Sequence, residues 1–452
     1  MNKNEEYSIE IVDQAYGGEG IGKVDGVPVF IEFALPGETV KTKILKVNKN
    51  YAFGKMMEIE KESEERADAP CPYYYRCGGC DLQHQTYAGQ LRFKRKRVVD
   101  ALERIGKIKS PNVMETIGME CPFRYRNKAQ IPFAEENGKL IAGFYAKRSH
   151  RIVDIETCLI QHEDGDRVLA ITRQWMEEFK VAPYQKDGGI NPKGIVRHVM
   201  MRKGFKTGDL MVVLVSTKEK VPFIYILIER LKTIEGFKSF VVNVNDKDTN
   251  VILGEKNVLL FGQEYIEDDI AEFRFRISPH SFFQVNPVQT EVMYAKALEY
   301  AALTGTETVF DAYCGAGTIS MFLSKKAKKV YGVEIVPEAI EDAKINAEVN
   351  NVENVEFILG KSEEVIAKLI EEGIHADVVV VDPPRKGCDP ELLVSIAKMG
   401  PERMVYVSCD AGTLARDLSI MTELGYRLVE ATPVDNFPQT AHVETVVLLS
   451  RA

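Results

Sequence analysis

The spacing of apolar positions changes character along the chain. Residues 7–59 alternate apolar and polar side chains at a period of two, as in YSIEIV, VPVFIEF and TVKTKILKV, with glycine breaks such as YGGEG and VDG. Short alternating runs with frequent turn signals predict a small antiparallel β domain, and this length suits a five-stranded OB-like barrel. Residues 86–105 switch to a helical period, with Leu91, Val98, Leu102 and Ile105 on one stripe. From 150 to 275 strand-like and helical stretches mix, and GIVRHVMMRKG with DLMVVLVST predicts a hairpin. From about 276 the pattern becomes regular. Five apolar strand-like runs (TVFDA, KVYGVE, NVEFIL, DVVVV and RMVYV) each precede a helical stretch, and two further strands close the chain. That alternation predicts a parallel sheet with helices on both faces. The fold class expected is α/β in three parts: an OB-like barrel over 1–60, a mixed α/β central domain over 61–275 and a doubly wound domain over 276–452.

Length and charge narrow the picture. A chain of 452 residues can bury the cores of two or three domains. No apolar run reaches transmembrane length, and MNKNEEYSIEIV lacks the basic and apolar regions of a secretory signal. A cytoplasmic location is expected. Its eight cysteines then suggest reduced thiols, a metal site or catalysis rather than disulfides. The net charge of −9 argues weakly against a nucleic-acid partner, but phosphates meet one face only. Between 90 and 109 there are eight Lys/Arg against two acids, and FRYRNKAQIPF adds Arg124, Arg126 and Lys128 beside aromatics. Basic groups interleaved with aromatics suit looped or single-stranded RNA. The competing reading is a solvated helix face beside an ordinary strand. Recurrence of such patches favours RNA binding.

Chemistry concentrates at the ends of the predicted parallel strands, where open α/β sheets bind their ligands. Asp382 ends DVVVV and Cys409 follows RMVYVS, so both are expected on neighbouring strand tips facing one crevice. A buried bystander is the commoner fate of a free cysteine. Pro383 and Pro384 after Asp382 fix a rigid, non-helical turn. Gly315 and Gly317 follow the first strand of this domain and let a ligand approach the backbone at a helix start. Glu334, 23 residues after Asp311, ends the next strand, where a carboxylate can accept both hydroxyls of a ribose. In the N-terminal third, Cys71, Cys77 and Cys80 lie within ten residues. A tetrahedral sulfur site needs a fourth ligand, from Cys158 or from Cys121, and either zinc or a [4Fe–4S] cluster is chemically open.

Six ordered motifs carry a family resemblance: FFQVN (282–286), DAYCGAGT (311–318), GVEIV (332–336), DPPRKG (382–387), YVSCD (406–410) with TLARD after it, and HVETV (442–446). Together they resemble the S-adenosylmethionine-dependent RNA uracil-5-methyltransferases. The N-terminal region resembles the TRAM barrel of many of these enzymes. The resemblance implies a Rossmann-like methyltransferase domain, with S-adenosylmethionine near Gln284, Tyr313, Glu334 and Asp382. It implies Cys409 as a nucleophile and Glu444 as the base that takes the C5 proton. It further implies that Cys71, Cys77, Cys80 and Cys158 hold a [4Fe–4S] cluster, with Cys314 and Cys388 as bystanders. Many members carry Asn-Pro after the nucleophile, where this chain has Asp410-Ala411.

The resemblance makes RNA the substrate. Barrel and cluster together imply ribosomal RNA, 23S in kind, over transfer RNA. The alternatives are a tRNA enzyme of the same chemistry, an aminomethyltransferase in which Cys409 is idle, and a metal-stabilised RNA-binding protein without activity. No membrane and no obligate protein partner are expected.

Overall fold

Alternation at the N-terminus becomes a closed barrel. The computed structural model describes residues 1–185 and 194–452. Strands β1 (Glu6–Gln14), β2 (Gly20–Val24), β3 (Val27–Ile31), β4 (Thr39–Val47) and β5 (Ala52–Lys61) pair in the order β1-β2-β3-β5-β4, and β4 returns to β1. Ile9, Ile11, Val29, Ile31, Val40 and Ile44 point inward, and the alternate lysines and glutamates point out. Gly54 marks a tight place: a Cβ there would lie 2.2 Å from the methyl carbon of Thr42.

Helix α1 (Tyr87–Arg104) comes next, its first turn capped by Thr86. Val98 and Leu102 face inward as predicted, whereas Ile105 is half exposed. The partner of α1 is far away in sequence, since Val98 and Leu102 join the core of the C-terminal sheet and its covering helices.

The central region forms a seven-stranded sheet. Its members are β6 (Lys128–Glu136), β7 (Lys139–Tyr145), β8 (Ile152–Asp154), β9 (Val196–Lys203), β10 (Leu210–Ser216), β11 (Phe237–Val244) and β12 (Lys256–Gly262), in the order β12-β11-β10-β9-β6-β7-β8. The predicted β9–β10 hairpin is present, with Val199 opposite Leu214. Helices α2 (Glu163–Glu178) and α3 (Ile224–Leu231) cover one face through Val168, Leu169, Trp175, Leu227 and Leu231. On the other face Met200, Met211, Val213 and Val241 pack into the C-terminal core. A hairpin of β13 (Ile266–Ile270) and β14 (Phe273–Ile277) joins that core too, through Ile266, Ile270, Phe273, Phe275 and Ile277.

Helix α4 (Pro287–Ala301) leads into the regular region. There β15 (Thr308–Ala312), α5 (Thr318–Ser324), β16 (Lys329–Glu334), α6 (Pro337–Val349), β17 (Val355–Leu359), α7 (Ser362–Glu371), β18 (Val378–Val381), α8 (Pro390–Met399), β19 (Arg403–Ser408) and α9 (Ala411–Glu423) alternate as the pattern predicts. The last strands, β20 (Tyr426–Val434) and β21 (Glu444–Arg451), complete a sheet of order β17-β16-β15-β18-β19-β21-β20. Strands β15 to β19 run parallel, and β21 inserts antiparallel beside β19. The winding reverses between β15 and β18, which opens a crevice beyond their carboxyl ends. No helix among the described residues is long and apolar enough to cross a membrane.

Candidate active site

Three acidic groups meet at the switch point. Asp382 leaves β18, Cys409 leaves β19, and Glu444 begins β21. Antiparallel register sets Ser408 opposite Thr445, so the next step out places Cys409 beside Glu444. Burial, then the nearby charges of Glu444 and Asp382, push the Cys409 thiol up to about 12, and Arg385 works the other way. Glu444 is only 5% exposed. Burial and the Asp382 charge raise its carboxyl to about 8, against the pull of Arg385. Burial raises Asp382 to about 7. Three neighbouring groups that resist ionisation form the kind of cluster in which protons can be exchanged.

The rest of the crevice is shaped by backbone. Tyr313, Gly315 and Gly317 all adopt positive φ, and a Cβ on Gly315 would meet nothing within 4 Å. The backbone therefore lies open on the crevice side at the start of α5. Glu334 is fixed by its own turn: its carboxylate accepts Gly315 N at 3.2 Å, Ile335 N at 2.8 Å and Val336 N at 3.0 Å. Behind it Asp311 is fully buried, bonded to Ser320, and its Oδ1 has no hydrogen-bond partner among the described residues. Burial, opposed by the Ser320 bond and reinforced by Asp382 and Glu334, raises Asp311 to about 7. Gln284 lies in the half-buried loop before α4, where Asn127 Nδ2 donates to its carbonyl at 2.9 Å.

Glu444 is positioned by the loop over 435–443, and α1 anchors that loop. Lys94, fully buried, donates to the buried Asp435 and, at 3.1 Å, to the Phe437 carbonyl. Tyr87 Oη donates to Asp435 at 2.9 Å, Asn286 Nδ2 to Asn436 O at 3.0 Å, and Gln90 Nε2 to Gln439 Oε1 at 3.0 Å. This narrows the basic patch expected on α1. Lys94 and Arg97 are buried, Arg95 donates to the Val113 carbonyl at 2.7 Å, and Arg92 pairs with Glu65 at 2.7 Å. The charges of Lys94 and Arg97 serve internal contacts, so a simple count of basic residues overstates the patch, while Arg92, Lys96 and Arg104 stay exposed.

The cysteines separate into groups. Cys71, Cys77, Cys80 and Cys158 all line one cavity of about 280 Å³, together with Tyr73, Arg126, Lys128 and Gln130. Cys121, the rival ligand, is exposed and does not line it. Among the described residues no three His, Cys, Asp or Glu side chains converge closely enough to hold a single metal ion. Cys314 and Cys388 are buried.

Some residues at the crevice escaped the motif reading. Phe282, in the FFQVN loop, is 73% exposed, while its neighbour Phe283 is buried against Phe275. Ile335 and Val336 are exposed directly after Glu334. Their signal was available in the sequence, as apolar residues beside a candidate site. Tyr16 of the barrel, whose hydroxyl donates to Asp410, left no such signal.

Comparison with known proteins agrees with this geometry. Residues 235–452 match the tRNA (uracil-5-)-methyltransferase family model, and residues 2–57 match the TRAM domain. An RNA methyltransferase from Clostridium acetobutylicum is 54% identical over 454 residues, covering 100% of this chain and 98% of the relative. One from Halalkalibacterium halodurans is 52% identical over 450 residues, covering 99% and 98%. A solved structure of the Pyrococcus abyssi tRNA (uracil-54, C5)-methyltransferase with S-adenosyl-L-homocysteine is 28% identical, with a TM-score of 0.78 over 98% of this chain and 100% of that one. The class is an S-adenosylmethionine-dependent methyltransferase with a Rossmann-like domain. The chain belongs to the RNA uracil-5-methyltransferase family and carries an N-terminal TRAM barrel.

Proposed function

We propose that this enzyme methylates C5 of uridine through a covalent bond between Cys409 and C6 of the base. The observation that carries this reading is the placement of Cys409, Glu444 and Asp382 in one crevice, with the thiol beside the Glu444 carboxyl. Uracil C5 is a weak nucleophile. Addition of the Cys409 thiolate to C6 makes the ring an enolate whose C5 can attack an electrophilic methyl. Arg385 is the cation that favours the thiolate against the carboxyls around it. S-adenosylmethionine, when bound, supplies the methyl group. The pre-ordered Glu334 carboxylate, the open backbone at Gly315, Asp382, Tyr313 and Gln284 would hold it. Glu444 then removes the C5 proton, and the ring electrons expel the sulfur. A carboxyl raised to about 8 is a stronger base, once ionised, than an ordinary glutamate. The target base must leave its stack, at a cost of a few kcal/mol.

Ribosomal RNA, 23S in kind, is the substrate we favour, on the combination of barrel and cysteine set. A tRNA substrate is the second reading, and the full-length likeness to the Pyrococcus abyssi tRNA (uracil-54, C5)-methyltransferase favours it. Supplying labelled S-adenosylmethionine with 23S ribosomal RNA and with tRNA, each lacking 5-methyluridine, separates the two. Label confined to 5-methyluridine in tRNA overturns the ribosomal assignment, and label in amino groups of a base or a protein overturns the reaction.

A [4Fe–4S] cluster held by Cys71, Cys77, Cys80 and Cys158 accounts best for their cavity. Zinc needs its sulfurs about 2.3 Å from one point, whereas a cluster spreads its cysteines around a larger body. What supports the second arrangement is that all four cysteines line one cavity of about 280 Å³. Burial pushes the Cys158 thiol up to about 11, so metal binding here releases protons. Enzyme purified without oxygen from the cytoplasm is expected to be brown and to contain iron and sulfide. Cys158→Ser abolishes the colour and Cys121→Ser keeps it. Colourless protein with stoichiometric zinc overturns the cluster.

A further inference from the structure

Asp410 follows Cys409 directly, and both of its carboxylate oxygens are engaged. Asp410 Oδ1 caps α9 by accepting Gly412 N at 2.9 Å and Thr413 N at 3.0 Å. Ser408 Oγ accepts Asp410 N at 3.2 Å and donates to Asp410 O at 3.0 Å, closing the backbone around the cysteine. The other carboxylate oxygen, Oδ2, accepts the hydroxyl of Tyr16, 394 residues earlier and on the barrel.

Tyr16 is itself braced. Its ring lies under the Arg97 guanidinium, with Cζ 3.6 Å from the ring centre. Arg97 is 8% exposed, and its Nε and Nη1 have no hydrogen-bond partner among the described residues. The Tyr16 side chain, through its oxygen and its ring face, and then the Asp410 charge are its main compensation for burial. The barrel segment around Tyr16 is tied down on either side. Asp13 pairs with Lys96 of α1 at 3.0 Å, and Glu19 with Arg148 at 3.1 Å. The result is a bracket from the barrel through α1 to the turn that carries the thiol. Burial of the Asp410 carboxyl works against its charge, yet the Tyr16 hydroxyl, the two amides and Arg97 together keep it below the usual range. The outer face of Tyr16 remains open, since the residue is 53% exposed.

We propose that Tyr16 is a positioning residue for the reaction: with Arg97 as its support, it latches Asp410 and so fixes the turn that presents Cys409 to C6 of the base. The proposal rests on Cys409 being the nucleophile. It gives the TRAM barrel a part in the chemistry besides RNA binding. It also explains how an Asp-Ala turn is held in this chain: the aspartate has a second oxygen free to take a bond from another domain. A shift of about 1 Å in a reacting group costs on the order of a hundredfold in rate, so loosening this turn should be visible in kinetics.

The test uses the full-length enzyme, S-adenosylmethionine, and transcribed 23S ribosomal RNA and tRNA containing 5-fluorouridine. Once C5 has taken the methyl group, fluorine cannot leave it as a proton does, so the Cys409–C6 bond accumulates. Tyr16→Phe keeps the ring under Arg97 and removes only the hydroxyl. It is expected to slow adduct formation, and kcat on unsubstituted RNA, by about tenfold, within that positional range, with KM for RNA unchanged. Asp410→Asn keeps the cap and can still bond the tyrosine oxygen. It should stay within about threefold of the parent enzyme, whereas Asp410→Ala should fall at least as far as Tyr16→Phe. Adduct formation by Tyr16→Phe at the parent rate overturns the latch. So does a rise in KM alone, which would make Tyr16 an RNA contact. A parent enzyme that methylates RNA with no Cys409-dependent adduct instead overturns the nucleophile, and the latch with it.

Discussion

Cys409 and Glu444 stand at adjacent tips of β19 and β21, one step beyond the Ser408–Thr445 pair. The antiparallel insertion of β21 beside β19 is what creates this relationship. In a wholly parallel sheet the residue entering a strand would lie at the opposite edge from the residue leaving its neighbour. Reversing one strand brings the first residue of β21 to the last of β19, so a carboxyl and a thiol share a crevice without any loop having to reach.

That placement has a thermodynamic cost that can be read as a function of pH. The Glu444 carboxyl is raised to about 8 in the folded chain, mainly by burial, from an unfolded value of 4.5. Below about 4.5 it is protonated in both states and makes no difference. Above that, the unfolded chain gains by ionising and the folded chain does not. Stability is then lost at up to about 1.4 kcal/mol per pH unit until the folded value is passed. Glu444→Gln removes the effect. Its melting temperature should exceed that of the parent enzyme at pH 8 and converge with it near pH 4.5. Equal melting curves at pH 8 would mean that the carboxyl is not buried as described.

Lys94 is expected to matter for folding rather than for RNA. Lys94→Met leaves Asp435 charged and buried, a loss on the order of 3–5 kcal/mol for a broken buried pair. It should lower the melting temperature, with activity falling because the 435–443 loop carries Glu444. Adding Asp435→Asn should recover most of the stability, since Tyr87 can still donate to the amide oxygen. The salt dependence of RNA affinity should not change in either variant. A slope reduced by about one would show that Lys94 contacts a phosphate after all.

The difference between Lys94 read from sequence and Lys94 in the fold shows where pattern reading ends. The five βα units, the barrel and the β9–β10 hairpin were legible because period, turn residues and strand length are local properties. Asp382, Cys409 and Glu334 were legible for the same reason, as polar residues at the ends of apolar runs. The partners of α1 were not legible. Lys94 meets Asp435 and Tyr16 meets Asp410 across more than 300 residues, and nothing local distinguishes a lysine that will be buried from one that will face solvent. The hairpin over 266–277 likewise looks like any short alternating pair until its apolar side is seen in the core of the C-terminal sheet.

Phe282 should bind RNA and contribute little to folding. It is 73% exposed on a loop fixed from below by Arg202, whose Nη2 donates to Pro279 O at 3.1 Å and Ser281 O at 2.7 Å. An aromatic held in solvent beside the crevice offers a stacking surface for a base. Phe282→Ala should weaken RNA affinity by about 1–3 kcal/mol, a factor of about 5 to 150, with an unchanged melting temperature. Unchanged affinity would assign the exposed ring no part in substrate binding.

The two halves of the mechanism separate in Glu444→Gln. In the proposed mechanism Cys409 acts before methyl transfer and Glu444 after it, so losing the carboxylate should leave bond formation intact and block release. Incubated with substrate RNA and S-adenosylmethionine, Glu444→Gln is expected to accumulate an enzyme–RNA adduct that survives denaturing electrophoresis and carries the transferred methyl group. Cys409→Ala, and the double variant, should form none. Normal turnover by Glu444→Gln, or a folded, cofactor-binding but inactive variant with no trapped RNA, would contradict the assignment of Glu444 as the C5 base.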